Sequence, residues 1–160
     1  MEKALVVALD LGNDAEFLYD LEELVRLCEA CDMEVVDTVI QRSDSMNKAL
    51  FIGTGKVLEV KEAASIYGAE IVVFNDSLSP MQVRNLQNEI GLPILDRTTL
   101  ILDIFSKRAK TREAKVQVET ARLQYLLPRL AGLHAALSRQ GGSGGAGFSN
   151  KGAGEQKKEL

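Results

Sequence analysis

Over roughly the first 95 residues, short apolar runs alternate with helical segments, which restricts the chain to α/β: a small, mostly parallel sheet with helices packed on it. Residues 4–9, Ala-Leu-Val-Val-Ala-Leu, are bounded by Asp10, Gly12 and Asn13 and read as a buried strand. Asp14 is placed to cap the next segment, where Phe17, Leu18, Leu21, Leu24, Val25, Leu27 and Cys28 recur at helical spacing. Residues 33–41 are rich in valine, isoleucine and threonine and predict a second strand. Leu50-Phe51-Ile52 is a further short strand by the same criterion. It runs into Gly53-Thr54-Gly55-Lys56 and a helix that Gly68 stops. Ile71 to Phe74 is another buried strand. Ser79-Pro80 opens a helix that ends at Gly91, and Pro93-Ile94-Leu95 leads into the last strand.

After Asp96 the character changes. No strand signal and no glycine occurs until Gly132. Thr111 is positioned to cap a long second helix, about residues 112–137, with Glu113 in its first turn. Val116, Leu123, Leu126, Leu127, Leu130, Leu133 and Leu137 form its expected apolar stripe, and Pro128 should kink it because it cannot donate to the Gln124 carbonyl. A glycine-rich loop over residues 141–154 follows, and the last residues resemble the start of another helix. This organisation predicts an α/β subdomain over 1–96 and a helical arm over 97–160. The arm is expected to be half of an antiparallel helical hairpin, truncated at its carboxyl end.

The net charge of −4 argues by itself against nucleic acid, but the average hides a split. Residues 1–96 carry 7 Lys/Arg against 18 Asp/Glu, a net −11, whereas residues 97–160 carry 12 against 5, a net +7. Such asymmetry fits a polyanion-binding appendage on an acidic domain, although basic residues also decorate solvated helix faces. No apolar stretch is long enough for a membrane span, and the start of the chain has no signal-peptide layout, so a cytoplasmic location is expected.

Motifs for catalysis are scarce. Cys28 and Cys31 form a C-x-x-C near the end of a helix, the wrong pole for a stabilised thiolate, and read as reduced structural thiols. The single histidine, His134, leaves no ligand set for zinc, and no metal is expected in these residues. Gly53-Thr54-Gly55-Lys56 lacks the first glycine and the Ser/Thr of a Walker loop, since those positions are Leu50 and Val57. Gly53, Gly55 and Lys56 are therefore weak nucleotide-binding candidates beside the reading of a plain turn. Asp10, Asp76 and Asp96 stand at strand ends, where open sheets bind ligands, yet aspartate is also a routine cap residue. The loop flanked by Arg139, Gln140 and Lys151 and carrying Gly141, Gly142, Phe148 and Asn150 suits RNA: backbone for close approach, cations for phosphate, an aromatic for stacking. A linker is the plainer reading of its composition.

Several stretches, in order, resemble the HflX family of translational GTPases: Phe51 to Lys56, Leu78 to Leu86, Asp96 to Phe105, Gln117-Val118-Glu119, Tyr125 to Leu130, Ser138 to Gly142 and Gly152 to Glu155. Ala153, where proline is expected, departs from the pattern. The resemblance implies binding to the large ribosomal subunit through the glycine-rich loop, near the peptidyl-transferase centre, in ribosome splitting or rescue. Arg139, Gln140, Gly141, Gly142, Phe148, Asn150 and Lys151 in the loop are the implied rRNA contacts, and Arg122 and Arg129 on the arm are flanking cations expected to add phosphate contacts. It implies no catalysis by these residues. GTP and Mg2+ belong to a GTPase domain of the same protein, a further expected partner whose motifs do not occur here. Two alternatives stand beside it: a small ATP-binding α/β domain using Gly53, Gly55 and Lys56, and a structural module that regulates the GTPase domain.

Overall fold

A computed structural model describes residues 1–145, with side chains through Arg129. Four strands, β1 (Glu2–Asp10), β2 (Met33–Arg42), β3 (Ile71–Phe74) and β4 (Ile94–Asp96), form one sheet in the order β2-β1-β3-β4 with every pairing parallel. The helices are α1 (Phe17–Ala30), α2 (Thr54–Tyr67), α3 (Pro80–Ile90), α4 (Arg97–Arg108) and α5 (Arg112–Gly145). Parallel neighbours need crossovers, and each crossover lays its helix over the sheet. Because successive residues of β1 face opposite ways, they feed two cores. Leu5, Val7 and Leu9 pack with Val57 and Val60 of α2 and Val83 and Leu86 of α3. Ala4, Val6 and Ala8 pack with Leu21, Leu24 and Cys28 of α1 and Leu100 and Ile104 of α4. Burial on both faces is why β1 reads as a continuous apolar run.

The helix ends follow the predicted chemistry. Gly68 and Gly91 sit at φ 70° and 82°, the left-handed conformation that closes α2 and α3 without a Cβ clash. Ser79 caps α3 in a reciprocal box with Gln82 (Ser79 Oγ accepts from Gln82 N at 3.1 Å, Gln82 Oε1 from Ser79 N at 2.9 Å). Thr111 Oγ1 accepts from Ala114 N at 3.0 Å and caps α5 as expected. Asp14 acts one step early. Its carboxylate accepts from Glu16 N at 2.9 Å, while Glu16, without a side-chain cap bond, precedes the helix.

Two expectations are corrected. Leu50-Phe51-Ile52 is not a strand. Asn47 Oδ1 accepts from Ala49 N and Leu50 N at 2.9 and 2.8 Å, and Phe51 takes φ 65° to close a lone bridge with Asn47. Gln82 Nε2 then donates to the Asn47 and Lys48 carbonyls and Asn85 Nδ2 to Ala49 O, which pins the segment to α3. Helix α5 runs past residue 137 to Gly145, since elongation adds one hydrogen bond to an existing helix, a gain that can offset the ~1 kcal/mol of a glycine. At 1.5 Å per residue its 34 residues span about 51 Å.

Cys28 and Cys31 are buried and free. Burial pushes the Cys28 thiol up to about 12, with the Cys31 and Glu29 charges adding to the shift, and burial likewise raises Cys31. A thiol held protonated is a poor nucleophile, so the pair is structural.

Candidate functional site

The arm is fastened to the sheet where three separate stretches of the sequence meet. Asp96 ends β4, is 1% exposed and caps α4. Its Oδ1 accepts from Thr99 N at 3.0 Å and Thr99 Oγ1 at 2.8 Å; its Oδ2 accepts from Leu78 N at 2.9 Å and from the Tyr125 hydroxyl on α5. Four donors on two oxygens satisfy a carboxylate that burial would otherwise penalise heavily. One turn along α5, Arg129 lays its guanidinium over the Tyr125 ring at 3.6 Å, donates to the Leu78 carbonyl, and approaches Asp96 at 3.8 Å. It also donates to the Tyr125 carbonyl at 3.0 Å, across the turn interrupted by Pro128. Beneath Leu126 lies a cavity of about 110 Å³ between α3, β4 and α5, lined in part by Gln87 and Arg129, whose Oε1 and Nε are buried without a hydrogen-bond partner.

This latch changes the reading of two arm cations. Arg129, with its side chain only 14% exposed, turns inward onto Leu78, Tyr125 and Asp96, so its guanidinium is occupied within the domain. Arg122 pairs with Glu119 on its own helix at 3.3 Å. The apolar stripe divides as well. Leu126 lines the cavity against the body, whereas Val116, Leu123 and Leu127 are exposed on the other side of α5. Tyr125, Leu126 and Arg129 thus face the body, a mixed set of which only Leu126 belongs to the expected apolar stripe.

The other candidates fall as follows. Gly53 N donates to Gln41 Oε1 at 3.0 Å and Lys56 Nζ pairs with Glu59 at 3.0 Å, so two of the groups that would greet a phosphate are already engaged. No Cβ contact or positive φ requires glycine at Gly55. Asp10 accepts from Gly12 N and pairs with Arg42 at 3.7 Å, a turn role. The side chains of Arg139, Gln140, Gly141, Gly142 and His134 lie outside the described residues, as do Phe148, Asn150 and Lys151 entirely. Among the described residues no three His, Cys, Asp or Glu side chains converge on one metal position, and no helix is long and apolar enough to cross a membrane.

Burial raises the Tyr125 hydroxyl from its ordinary 10.0 to about 12, helped by its bond to Asp96 and the charge there, while Arg129 opposes the shift. A proton held more tightly in the folded state favours folding fully below the unfolded value, and the benefit fades as pH climbs through the folded one. Docking of α5 is therefore expected to be intact below about pH 10 and lost towards pH 12. Ultraviolet titration checks this: a late tyrosinate step, absent in Tyr125→Phe, should coincide with faster amide exchange in α5. A Tyr125→Phe titration curve that keeps the late step contradicts it.

Two family models match most of the chain: "GTP-binding GTPase N-terminal" over residues 19–106 and "GTP-binding GTPase Middle Region" over residues 108–160. The boundary between them falls in the last turn of α4. The GTPase HflX of Alkalihalophilus pseudofirmus is 45% identical over 161 residues, spanning 100% of this chain and 37% of that protein. That of Escherichia coli is 37% identical, over 99% and 36% respectively. The chain therefore spans a little over a third of the relatives it matches. In three dimensions it is similar to a GTP-binding protein from Sulfolobus solfataricus solved with GDP, with a TM-score of 0.60 and 27% identity over 87% of this chain and 42% of that one. The three stretches that build the latch, around Leu78, Asp96 and Tyr125–Arg129, are among those that carry the sequence resemblance to HflX proteins. With the two regional models matched in succession, the chain belongs to the HflX family of GTPases, as its amino-terminal and middle regions.

Proposed function

We propose that this region binds the large ribosomal subunit, with the acidic α/β body as a rigid mount and the basic arm as the element that reaches rRNA. The observation that carries the reading is that α5 leaves the body within the basic half of the chain. The net charge is −11 through the end of β4 and +7 beyond it, and α5 rises as one helix from a buried latch. A long lever fixed at its base can place a loop far from the body, and glycine there admits close approach of backbone to a crowded surface. Arg139 and Lys151 supply the phosphate contacts, with Gln140, Gly141, Gly142, Phe148 and Asn150 around them; Arg129 is assigned to the latch instead. The contact lies near the peptidyl-transferase centre and serves ribosome splitting or rescue in the cytoplasm. GTP and Mg2+ act in the GTPase domain of the longer protein, whose helical continuation covers Val116, Leu123 and Leu127.

Salt dependence tests the assignment. Each phosphate contact contributes about 0.7–0.9 to the slope of log affinity against log salt, so Arg139→Ala with Lys151→Ala is expected to flatten the slope by about 1.5 for large subunits. Unchanged affinity and slope would remove both residues from the interface.

A further inference from the structure

The two edges of the sheet differ in their protection. Strand β4 spans three residues and lies against the arm, whose Leu126 and Arg129 line a cavity with Ile94, Leu95 and Asp96. At the other edge β2 runs for ten residues, and among the described residues no strand or loop pairs with its outer side. Helices cover both faces of β2: Val36 and Val39 rest on the core with α2, Val35 and Ile40 on the core with α1. Yet every residue from Val35 to Gln41 is only half-buried. With the faces covered, that exposure lies along the edge.

The ladder decides which backbone groups point out. Ser43 N donates to the Asp10 carbonyl at 3.0 Å, while the Val7 carbonyl accepts from Asn75 N at 2.9 Å on the other side of β1. In a parallel pair, alternate residues turn both backbone groups to the same neighbour. Val39 and Gln41 therefore face β1 along with Ser43, and the N–H and C=O groups of Thr38, Ile40 and Arg42 face away from the sheet. Long free edges recruit other chains, and native sheets blunt them with proline, lysine or a bulge. Strand β2 has no proline or lysine, and its bulge, opposite Ala4 and Leu5, precedes Asp37 and leaves residues 37–42 in regular register.

Donors and acceptors repeating every second residue match another extended backbone. Charge selects its type. Residues 32–44 carry Asp32, Glu34, Asp37 and Asp44 against Arg42 alone, and Arg42 pairs with Asp10 at 3.7 Å. A second copy would bring up an equally acidic body, net −11 over residues 1–96, whereas a basic segment is attracted. We infer that the outer edge of β2 accepts an extended, lysine- or arginine-rich segment of a partner protein as an added strand, paired to the backbone of Thr38, Ile40 and Arg42. This edge lies across the sheet from the arm and is independent of the rRNA-binding reading.

Calorimetry and amide exchange on the full chain test it with the peptide acetyl-Lys-Val-Lys-Val-Lys-Val-Lys-amide. Two controls accompany it: the same peptide with proline for valine, equal in charge but unable to pair, and the same peptide with glutamate for lysine. The Lys-Val peptide should bind saturably, and both controls at least about tenfold more weakly. With the peptide at about ten times its Kd, exchange at Thr38, Ile40 and Arg42 should slow about tenfold. The amides of Val39 and Gln41, already bonded to β1, should change little. Thr38→Pro removes an outward donor without touching the ladder to β1 and should weaken binding about tenfold. The exchange pattern of the unaltered chain carries the test should that variant unfold. Absence of Lys-Val binding, equal affinity for the Lys-Pro peptide, or protection away from Thr38, Ile40 and Arg42 overturns the inference. So does slowing of those three amides with rising chain concentration alone, which would assign the edge to a second copy.

Discussion

Asp96→Ala is expected to destabilise the chain by about 3–5 kcal/mol, among the largest effects any single polar substitution here can have. The carboxylate is buried and holds four donors from three segments: Leu78 N, both groups of Thr99, and the Tyr125 hydroxyl. Alanine leaves Leu78 N and the Tyr125 hydroxyl without their acceptor, removes the cap of α4, and takes away the negative charge beside Arg129. For a chain of 160 residues such a loss lowers Tm by about 10 °C or more. Asp96→Asn keeps the shape and one acceptor oxygen but turns an amide donor towards other donors, so an intermediate loss of about 1–3 kcal/mol is expected. Urea unfolding measures both. Exchange of the α5 amides should rise sharply in the alanine variant, because the arm loses its anchor. A loss below about 1 kcal/mol with α5 protection unchanged would show that Asp96 is a cap and nothing more.

Phe74→Ala is expected to cost about 3–5 kcal/mol through the cavity it leaves. Phe74 is fully buried in β3, and its ring meets that of Phe51 edge to face, with centroids 6.0 Å apart at 78°. Phe51 holds φ 65°, a conformation unfavourable for a bulky side chain, and keeps it because its ring is captured in the core. Removing Phe74 takes away that capture, so the damage should spread to the turn at Gly53 and the start of α2. Amide exchange at Phe51 and Gly53 should therefore increase beyond the global loss of stability. Phe74→Leu, closer in volume, should cost under about 1.5 kcal/mol if the core repacks around it. Equal costs for the two variants would contradict this account.

Most of the sheet is legible in the sequence because β1, β3 and β4 are apolar runs that end at Asp10, Asn75 and Asp96, while β2 shows in its valine, isoleucine and threonine, signals that are local. The failures are long-range. Leu50-Phe51-Ile52 has the composition of a strand, but its conformation is set by Gln82 and Asn85, more than thirty residues away. Asp96 has the position of a turn residue, and it is one; its second role needs Tyr125, 29 residues further along the chain. Arg122 and Arg129 are cations available to phosphate on charge alone, and charge does not report that Glu119 and Asp96 lie beside them. Nor is the change of charge at Asp96 a change in packing, since Leu100 and Ile104 of α4 lie in the same core as α1.

The central claim is that the arm carries its tip to rRNA. A chelated iron tethered at Ser143→Cys tests it directly, because Cys28 and Cys31 are buried and the new thiol should react selectively. With the longer protein bound to large ribosomal subunits, hydroxyl radicals from position 143 should cut rRNA around the peptidyl-transferase centre, while a tether at Glu62→Cys on the outer face of α2 should not cut there. Cleavage of that region from position 62, or no rRNA cleavage from position 143 in a bound complex, would contradict the account.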